Sequence, residues 1–322
     1  MRGHLPNRLR IGTRGSALAL AQTQAVVDAL HQQFPELNIE IVTIRTRGDV
    51  ITDRPLRQLR GKGFFVKEIE SALLRGDIDI AVHSLKDMPT KLPDGLTIAA
   101  ICQRLDPRDA LVLRDEGDAA NLKDATSEFN PLMLLPRGTV IGTSSLRRRA
   151  QVLHLRSDVL VRELRGNLDT RLRKLDAGDY DAIIVAAAGL IRMGLQHRMS
   201  TVIPLSACIP AAGQGALAVE ARTDDERILQ LVKCLDDPIA RAEVDAERAL
   251  ISALGAGCHV PVGACARVIS DDMLKLYAVV AMPDGSRLIR DEVDGNVSDA
   301  IALGLQLAER LESMGARAII KG

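Results

Sequence analysis

Asp79-Ile80-Ala81-Val82-His83-Ser84-Leu85-Lys86-Asp87-Met88-Pro89 runs from an apolar stretch straight into a cluster of reactive side chains. Ile78, Ile80, Ala81 and Val82 predict a short buried strand of a parallel sheet. His83, Ser84, Lys86 and Asp87 follow at once, and Pro89 stops any helix from running through them. In open α/β sheets ligands bind outside the carboxyl ends of the strands, which is where these residues fall. A carboxylate beside a lysine there is a candidate acid–base pair. Taken alone the stretch is equally a solvated loop with a chance ion pair, so its surroundings decide.

Upstream, strand and helix signals alternate. Ile11-Gly12-Thr13-Arg14 reads as a strand end, and Ser16 as the cap of a helix with Leu18, Ala21, Ala25, Val26 and Leu30 on its apolar face. Ile39 to Ile44 is a β-branched strand that runs into Arg45, Arg47, Gly48 and Asp49. Phe64 to Leu74 reads as a helix with Phe65, Ile69 and Leu73 on one face, ended by Gly76. Downstream the pattern returns. Ile141-Gly142-Thr143 echoes Ile11-Gly12-Thr13, Arg165-Gly166-Asn167 echoes Arg47-Gly48-Asp49, and Gly178-Asp179-Tyr180-Asp181 echoes Gly76-Asp77-Ile78-Asp79. Echoes in one order predict two similar α/β domains with their strand ends facing a shared cleft. Cys102 to Asp109 and Ile209 to Gly215 are the expected crossings between them, which would act as a hinge. Asp115 to Pro136 has no clear period and is expected to be a surface insertion.

Beyond residue 238 the character changes. Ile239 to Leu254 predicts a helix with Val244, Leu250 and Ile251 inward and Glu243, Glu247 and Arg248 exposed. A loop of small residues from Gly255 to Gly263 then holds Cys258. Strand-like runs at Leu274 to Ala281 and Arg287 to Val293, and a closing helix from Ala300 to Met314, complete a small α+β domain.

Composition narrows the function. The 322 residues are too many for one core and fit two or three domains. Net charge is +0, aromatics are 2% and Trp is absent, which argues against a nucleic-acid binder. Arginines number 33 against nine lysines, and they recur at strand ends (Arg14, Arg45, Arg47, Arg165) and at a helix start (Arg147, Arg148, Arg149). Guanidinium forks grip carboxylates in bidentate fashion, so a polyanionic small ligand is expected. Three consecutive arginines splay around a helix, so at most two face a cleft and the third is solvated. The helix starts after Gly12-Thr13 and after Thr143-Ser144-Ser145 offer free N–H groups to an anion. No phosphate-loop motif is present, and the six histidines lack metal-ligand spacing, so no metal is expected. Of the histidines only His83 stays open as a functional group. Five scattered cysteines, odd in number, point to a reducing compartment, and the longest apolar run, Ala182 to Ala188, is too short to span a bilayer. The start of the chain lacks the apolar core of a signal peptide, so a cytoplasmic protein is expected. Cys258, in an open glycine-rich loop, is a candidate for covalent attachment, with an inert small thiol as the alternative.

Several motifs together resemble the porphobilinogen deaminase family. They are Gly-Thr-Arg-Gly-Ser at 12–16, Thr-Arg-Gly-Asp at 46–49, Gly-Lys-Gly-Phe-Phe-Val-Lys-Glu at 61–68 and His-Ser-Leu-Lys-Asp at 83–87. Gly-Thr-Ser-Ser-Leu-Arg-Arg at 142–148, Leu-Arg-Gly-Asn at 164–167, Ala-Gly-Gln-Gly-Ala at 212–216 and Gly-Cys-His-Val-Pro at 257–261 continue the match over nearly the whole chain. The resemblance implies two periplasmic-binding-protein-like α/β domains plus a small C-terminal α+β domain. The corresponding divisions are residues 1–103 with 216–236, 108–210, and 238–322. It implies a monomer that carries a dipyrromethane cofactor on Cys258. Four porphobilinogen units are added to that primer, each losing ammonia, and hydroxymethylbilane is released by hydrolysis.

By motif match, Asp87 and Lys86 would be catalytic. Asp87 would bond pyrrole N–H groups and stabilise the cationic azafulvene left when ammonia departs, while Lys86 would bind side-chain carboxylates. The cofactor would be held by Ser84, Lys86, Asp87, Thr143, Ser144, Ser145, Arg147, Arg148, Arg165 and Gly166. Substrate would meet Arg10, Arg14, Ser16, Lys62, Phe65, Arg165, Arg171, Arg192 and Gln214. The chain departs from the family pattern at Gln58, where a lysine is usual, between Arg57 and Arg60. Two other readings rest on fewer residues. A two-domain dicarboxylate-binding module would need neither Asp87 nor Cys258, and a regulator contacting nucleic acid through Arg147 to Arg149 sits badly with the neutral charge.

Overall fold

The computed structural model describes residues 6–46, 66–114, 130–256 and 260–321. The chain begins with β1 (Arg8–Thr13), α1 (Ala17–Gln33) and β2 (Asn38–Thr43), followed by α2 (Lys67–Arg75), β3 (Ile80–Ser84), β4 (Leu96–Ile101) and β5 (Asp109–Leu113). Next come β6 (Val140–Gly142), α3 (Leu146–Leu155), β7 (Leu160–Arg162), α4 (Leu168–Asp176), β8 (Ala182–Ala186), α5 (Ala187–Arg192) and β9 (Thr201–Ile203). β10 (Leu217–Arg222), α6 (Glu226–Val232) and α7 (Pro238–Ala253) follow. The end is β11 (Val262–Ser270), β12 (Met273–Ala281), β13 (Leu288–Asn296), α8 (Ala300–Ser313) and α9 (Ala316–Lys321). Two compact units result, residues 1–105 with 216–241 and residues 106–215 with 242–322. Among the described residues no helix is long and apolar enough to cross a membrane.

The first unit is built on a five-stranded sheet in the order β2-β1-β3-β10-β4. β1 pairs in parallel with β2 and β3, while β10 runs antiparallel between β3 and β4. Side chains alternate across the sheet. Ile80 and Val82 pack on one face with Leu9, Ile11, Val26, Leu30 and Leu231, whereas Ile78 and Ala81 pack on the other with Ile69 and Leu73 of α2. Ser16 caps α1, its Oγ accepting from the Ala19 N–H at 3.2 Å. Gly76 ends α2 in the left-handed region at φ 75°, a conformation glycine adopts at no steric cost. Ala25, expected inward on α1, is exposed; Gln22 and Thr23 are buried in its place. Both are satisfied polar groups, Thr23 by the Ala19 carbonyl at 3.0 Å and Gln22 by Ser84.

The second unit holds a sheet in the order β7-β6-β8-β5-β9. Here too three parallel strands adjoin an antiparallel one, β5, that lies between β8 and β9. The duplication expected from the motif echoes therefore extends to sheet topology. The antiparallel strand arrives late in the first unit and early in the second, because the chain leaves the first unit before β5 and returns with β10. Part of the expected surface insertion belongs to the core. Residues 115–129 lie outside the described residues, but Pro131–Leu134 form a 3-10 turn with Leu132 fully buried against Val152 and Ile141. Arg156 fastens it, donating to the Leu132 carbonyl at 2.6 Å and the Leu135 carbonyl at 2.9 Å.

The same unit contains the three-stranded antiparallel sheet β11-β12-β13, whose core is Leu250, Leu276, Val280, Leu307 and Leu311. β11 was not among the expected strands; the loop expected from Gly255 to Gly263 runs into its first two residues. Small size is required there, since a Cβ on Gly263 would stand 2.7 Å from the Ile209 carbonyl oxygen. The expectation that Glu243 and Glu247 are exposed is also corrected, because both are buried. β11 is an edge strand, and its outward N–H groups find carboxylates instead of a neighbouring strand. Glu247 accepts from the Ala266 N–H at 2.7 Å and Glu243 from the Val268 N–H at 3.0 Å. The match is one of rise: four helical residues advance about 6 Å and two strand residues about 6.6 Å. The other Glu247 oxygen accepts from the Gly213 N–H at 2.6 Å. Arg248 is half-buried rather than exposed.

Candidate active site

β3 delivers the first group of residues. Ser84 closes the strand, and its hydroxyl exchanges two hydrogen bonds with the Gln22 amide, at 2.8 and 3.1 Å. Leu85–Asp87 then form a 3-10 turn. Leu85 and Met88 are buried and fix the turn at both ends, helped by the Leu85 N–H to the Ala216 carbonyl at 3.1 Å. Between these anchors Lys86 is half-buried and Asp87 is exposed. Among the described residues the Asp87 carboxylate takes no hydrogen bond or ion pair. The turn holds the Asp87 side chain outward beside a lysine. Arg14 follows β1 as a half-buried residue, and Ser16 spends its hydroxyl on the α1 cap.

Behind the turn lies a buried polar group. His83 Nε2 donates to Glu220 Oε2 of β10 at 2.9 Å, with both side chains almost fully buried. Glu70 of α2 is buried nearby, and its carboxyl pKa is raised, first by burial and then by the charge of Glu220; His83 and Lys67 oppose this. A carboxyl whose folded pKa lies above its unfolded value contributes stability below the unfolded pKa that is lost as pH rises through the folded one. Glu70→Gln is therefore expected to match the parent at acid pH and to be the more stable protein at neutral pH. Denaturant unfolding at a series of pH values measures this, and parallel curves for the two proteins would refute it.

In the second unit the residues after β6 do several jobs at once. Thr143 Oγ1 accepts from the Ser145 N–H at 3.2 Å, Ser144 donates to the Leu164 carbonyl at 2.5 Å, and Ser145 caps α3. Arg147 and Arg148 are buried and Arg149 is exposed. Both buried guanidiniums converge on Asp109, which is fully buried: Arg147 at 2.8 Å on Oδ2 and Arg148 at 2.7 Å on Oδ1. Gln214 also donates to Oδ1 at 2.7 Å. Burial alone would push the Asp109 pKa up, but the two arginines outweigh it and hold the carboxyl far below the usual range. Cys208 sits in the same cluster, its thiol pushed up to about 12 by burial and then by Asp109, which makes it inert. Arg148 Nε is buried without a partner among the described residues.

The remaining predicted residues are placed as follows. Arg165 is half-buried with Glu163 at 3.6 Å, and Gly166 has φ 114°. Arg171 donates to the Gly166 carbonyl at 2.8 Å, and Arg192 to the Gly215 carbonyl at 2.7 Å. Arg10 is engaged within the first unit. It sits mid-strand in β1, opposite the start of β3 rather than its end, and its guanidinium grips Asp79 at 2.7 and 3.2 Å and the Asp77 carbonyl at 2.8 Å. Lys62, Phe65, Gln58 and Cys258 lie outside the described residues. The sequence reading missed Asp109, Gln22 and Glu220. Each is a polar residue inside an otherwise apolar period, which is the signal that marks them. Among the described residues no group of three or more His, Cys, Asp or Glu is placed to hold a metal.

Each unit thus follows its first parallel strand with hydroxyl residues, a capped helix N-terminus and arginine, an α/β arrangement whose groups suit anions. Two family models match the chain, the porphobilinogen deaminase dipyromethane cofactor binding domain over residues 9–230 and the porphobilinogen deaminase C-terminal domain over residues 241–313. A porphobilinogen deaminase from Pelotomaculum thermopropionicum is 48% identical over 317 residues, 98% of this chain and 97% of that one. The chain belongs to the porphobilinogen deaminase family. Among solved structures, the VFT2 domain of Bordetella pertussis BvgS is 12% identical with a TM-score of 0.39, over 71% of this chain and 86% of that one. The methionine binding protein MetQ is 12% identical with a TM-score of 0.40, over 70% and 90%. Likenesses at this level say nothing of function.

Proposed function

We propose that this chain deaminates porphobilinogen and joins four molecules of it head to tail on a dipyrromethane primer, releasing hydroxymethylbilane and ammonia. The observation that carries the reading is the exposed Asp87 carboxylate on the turn after β3, which has no partner among the described residues. Positive charge develops on the substrate's methylene carbon as ammonia leaves, and a fixed carboxylate lowers that barrier without having to reorganise. Asp87 accepts hydrogen bonds from pyrrole N–H groups in the same position. Lys86 neutralises substrate acetate or propionate.

The residues present fit a ligand bearing several carboxylates. The orphaned, buried Nε of Arg148 is the donor that such a ligand would satisfy. Ser84, Lys86 and Asp87 in the first unit, and Thr143, Ser144, Ser145, Arg147, Arg148, Arg165 and Gly166 in the second, would hold the dipyrromethane, with Cys258 as its covalent anchor. When bound, that group supplies the primer to which substrate rings are joined. Substrate would meet Arg14, Ser16, Lys62, Phe65, Arg165, Arg171, Arg192 and Gln214, the arginines and Lys62 taking its carboxylates. Arg10, engaged with Asp79, is left out of this set. The three-domain division at 1–103 with 216–236, 108–210 and 238–322, and a cytoplasmic monomer without metal, nucleic-acid or membrane partner, complete the proposal.

The intact mass of the purified protein and of its Cys258 peptide tests it. A mass excess equal to a dipyrromethane, absent from Cys258→Ser, is expected. A thiol that stays unmodified after incubation with porphobilinogen would overturn the reading in favour of a binding protein with this fold.

A further inference from the structure

The buried pair His83–Glu220 has no part in the chemistry described above, yet it lies one residue before the site. In the β3–β10 ladder His83 stands opposite Ala218 and Glu220 opposite Ala81, so the two side chains lie diagonally on one face of the sheet. That is the face covered by α2, and it brings Glu70 of that helix within electrostatic reach of both His83 and Glu220. The next residue, Ser84, points to the opposite face and is held there by Gln22 of α1. Consecutive residues of β3 are thus pinned on both sides of the sheet. Beyond them the Leu85 N–H donates to the Ala216 carbonyl and the Met88 N–H to the Leu85 carbonyl.

A buried hydrogen-bonded pair is a poor stabilising device, because apolar residues of similar volume in place of both partners are often neutral or better. What such a pair fixes is geometry. Its 2.9 Å bond adds a side-chain tie near the end of the β3–β10 ladder, and among the described residues one Glu220 oxygen and one Glu70 oxygen remain without partners. We infer that His83 is a positioning residue for Asp87: its bond to Glu220 sets where the strand end, and with it the catalytic carboxylate, is held. The inference rests on the proposed deaminase activity, and it assigns to the pair a role in turnover rather than in stability.

The test compares the parent with His83→Leu and His83→Gln. Leucine removes the bond, while glutamine can place its amide nitrogen near the position of Nε2. Folding is followed by far-UV circular dichroism, and kcat and KM are measured with porphobilinogen. A small misplacement of a catalytic group costs about 10- to 100-fold, so kcat of His83→Leu is expected to fall by that factor with KM little changed. His83→Gln is expected to recover most of it. In an Asp87→Ala background, His83→Leu is expected to cost nothing further, since it acts through Asp87. A folded His83→Leu protein with parental kcat overturns the inference, as does a glutamine variant no better than leucine or a full additional loss in the Asp87→Ala background. Should His83→Leu not fold, His83→Leu with Glu220→Met removes both polar groups and is judged by the same readings. A parent that does not turn over porphobilinogen would instead count against the proposed activity.

Discussion

Asp87→Ala is expected to lower kcat by about 10²- to 10³-fold or more, equivalent to ~3–4 kcal/mol of transition-state stabilisation, while the protein folds normally. The two halves of that expectation come from the same geometry. Asp87 is exposed and makes no bond among the described residues, so its removal takes nothing from the fold. Surface changes of this kind shift stability by no more than about 0.5 kcal/mol. The turn itself is kept by Leu85, Met88 and the Leu85 N–H bond, none of which involves the carboxylate. Asp87→Asn separates the two tasks given to this residue. It keeps an oxygen that can accept from a pyrrole N–H but loses the charge that faces the developing cation. A loss in Asp87→Asn close to that in Asp87→Ala would assign the effect to charge, and near-parental turnover would assign it to the hydrogen bond. Normal turnover by Asp87→Ala would remove the proposed function altogether.

Local signals were legible in the sequence. The Ser16 cap, the glycine stop at Gly76 and the apolar run into β3 are set by neighbouring residues, and each is found where the pattern places it. The motif echoes carried the duplication for the same reason. What the chain order hid depends on partners far away in sequence. Asp109 lies 38 and 39 residues from the arginines it neutralises, and Glu220 lies 137 from His83. Glu243 and Glu247 carry helical spacing that reads as a solvated face. Only the unpaired edge of β11 makes that face a buried one. Arg10 stands mid-strand, and its grip on Asp79, 69 residues away, was hidden in the same manner.

Asp109→Asn is expected to destabilise the second unit by about 3–5 kcal/mol, because it leaves two buried guanidiniums without their counter-charge. That is a large part of the roughly 5–15 kcal/mol by which domains are stable. With no Trp in the chain, denaturant unfolding followed by far-UV circular dichroism is the direct measurement. The pH dependence gives a second check. A carboxyl held far below its unfolded pKa of about 3.9 contributes stability that is complete above that value and lost as pH falls toward the folded one. The parent should therefore lose stability through this window, and Asp109→Asn should lack that part of the slope. A further variant decides whether the arginines are only structural. Asp109→Leu with Arg147→Met and Arg148→Met replaces the whole buried charge cluster by apolar volume, which restores stability in comparable cases. If the two guanidiniums also hold ligand carboxylates, the triple variant should fold and fail to retain the dipyrromethane by intact mass. A stable triple variant that keeps both cofactor and turnover would show that the cluster serves the fold alone, and that ligand carboxylates are met by Arg14, Arg165, Arg171 and Arg192 instead.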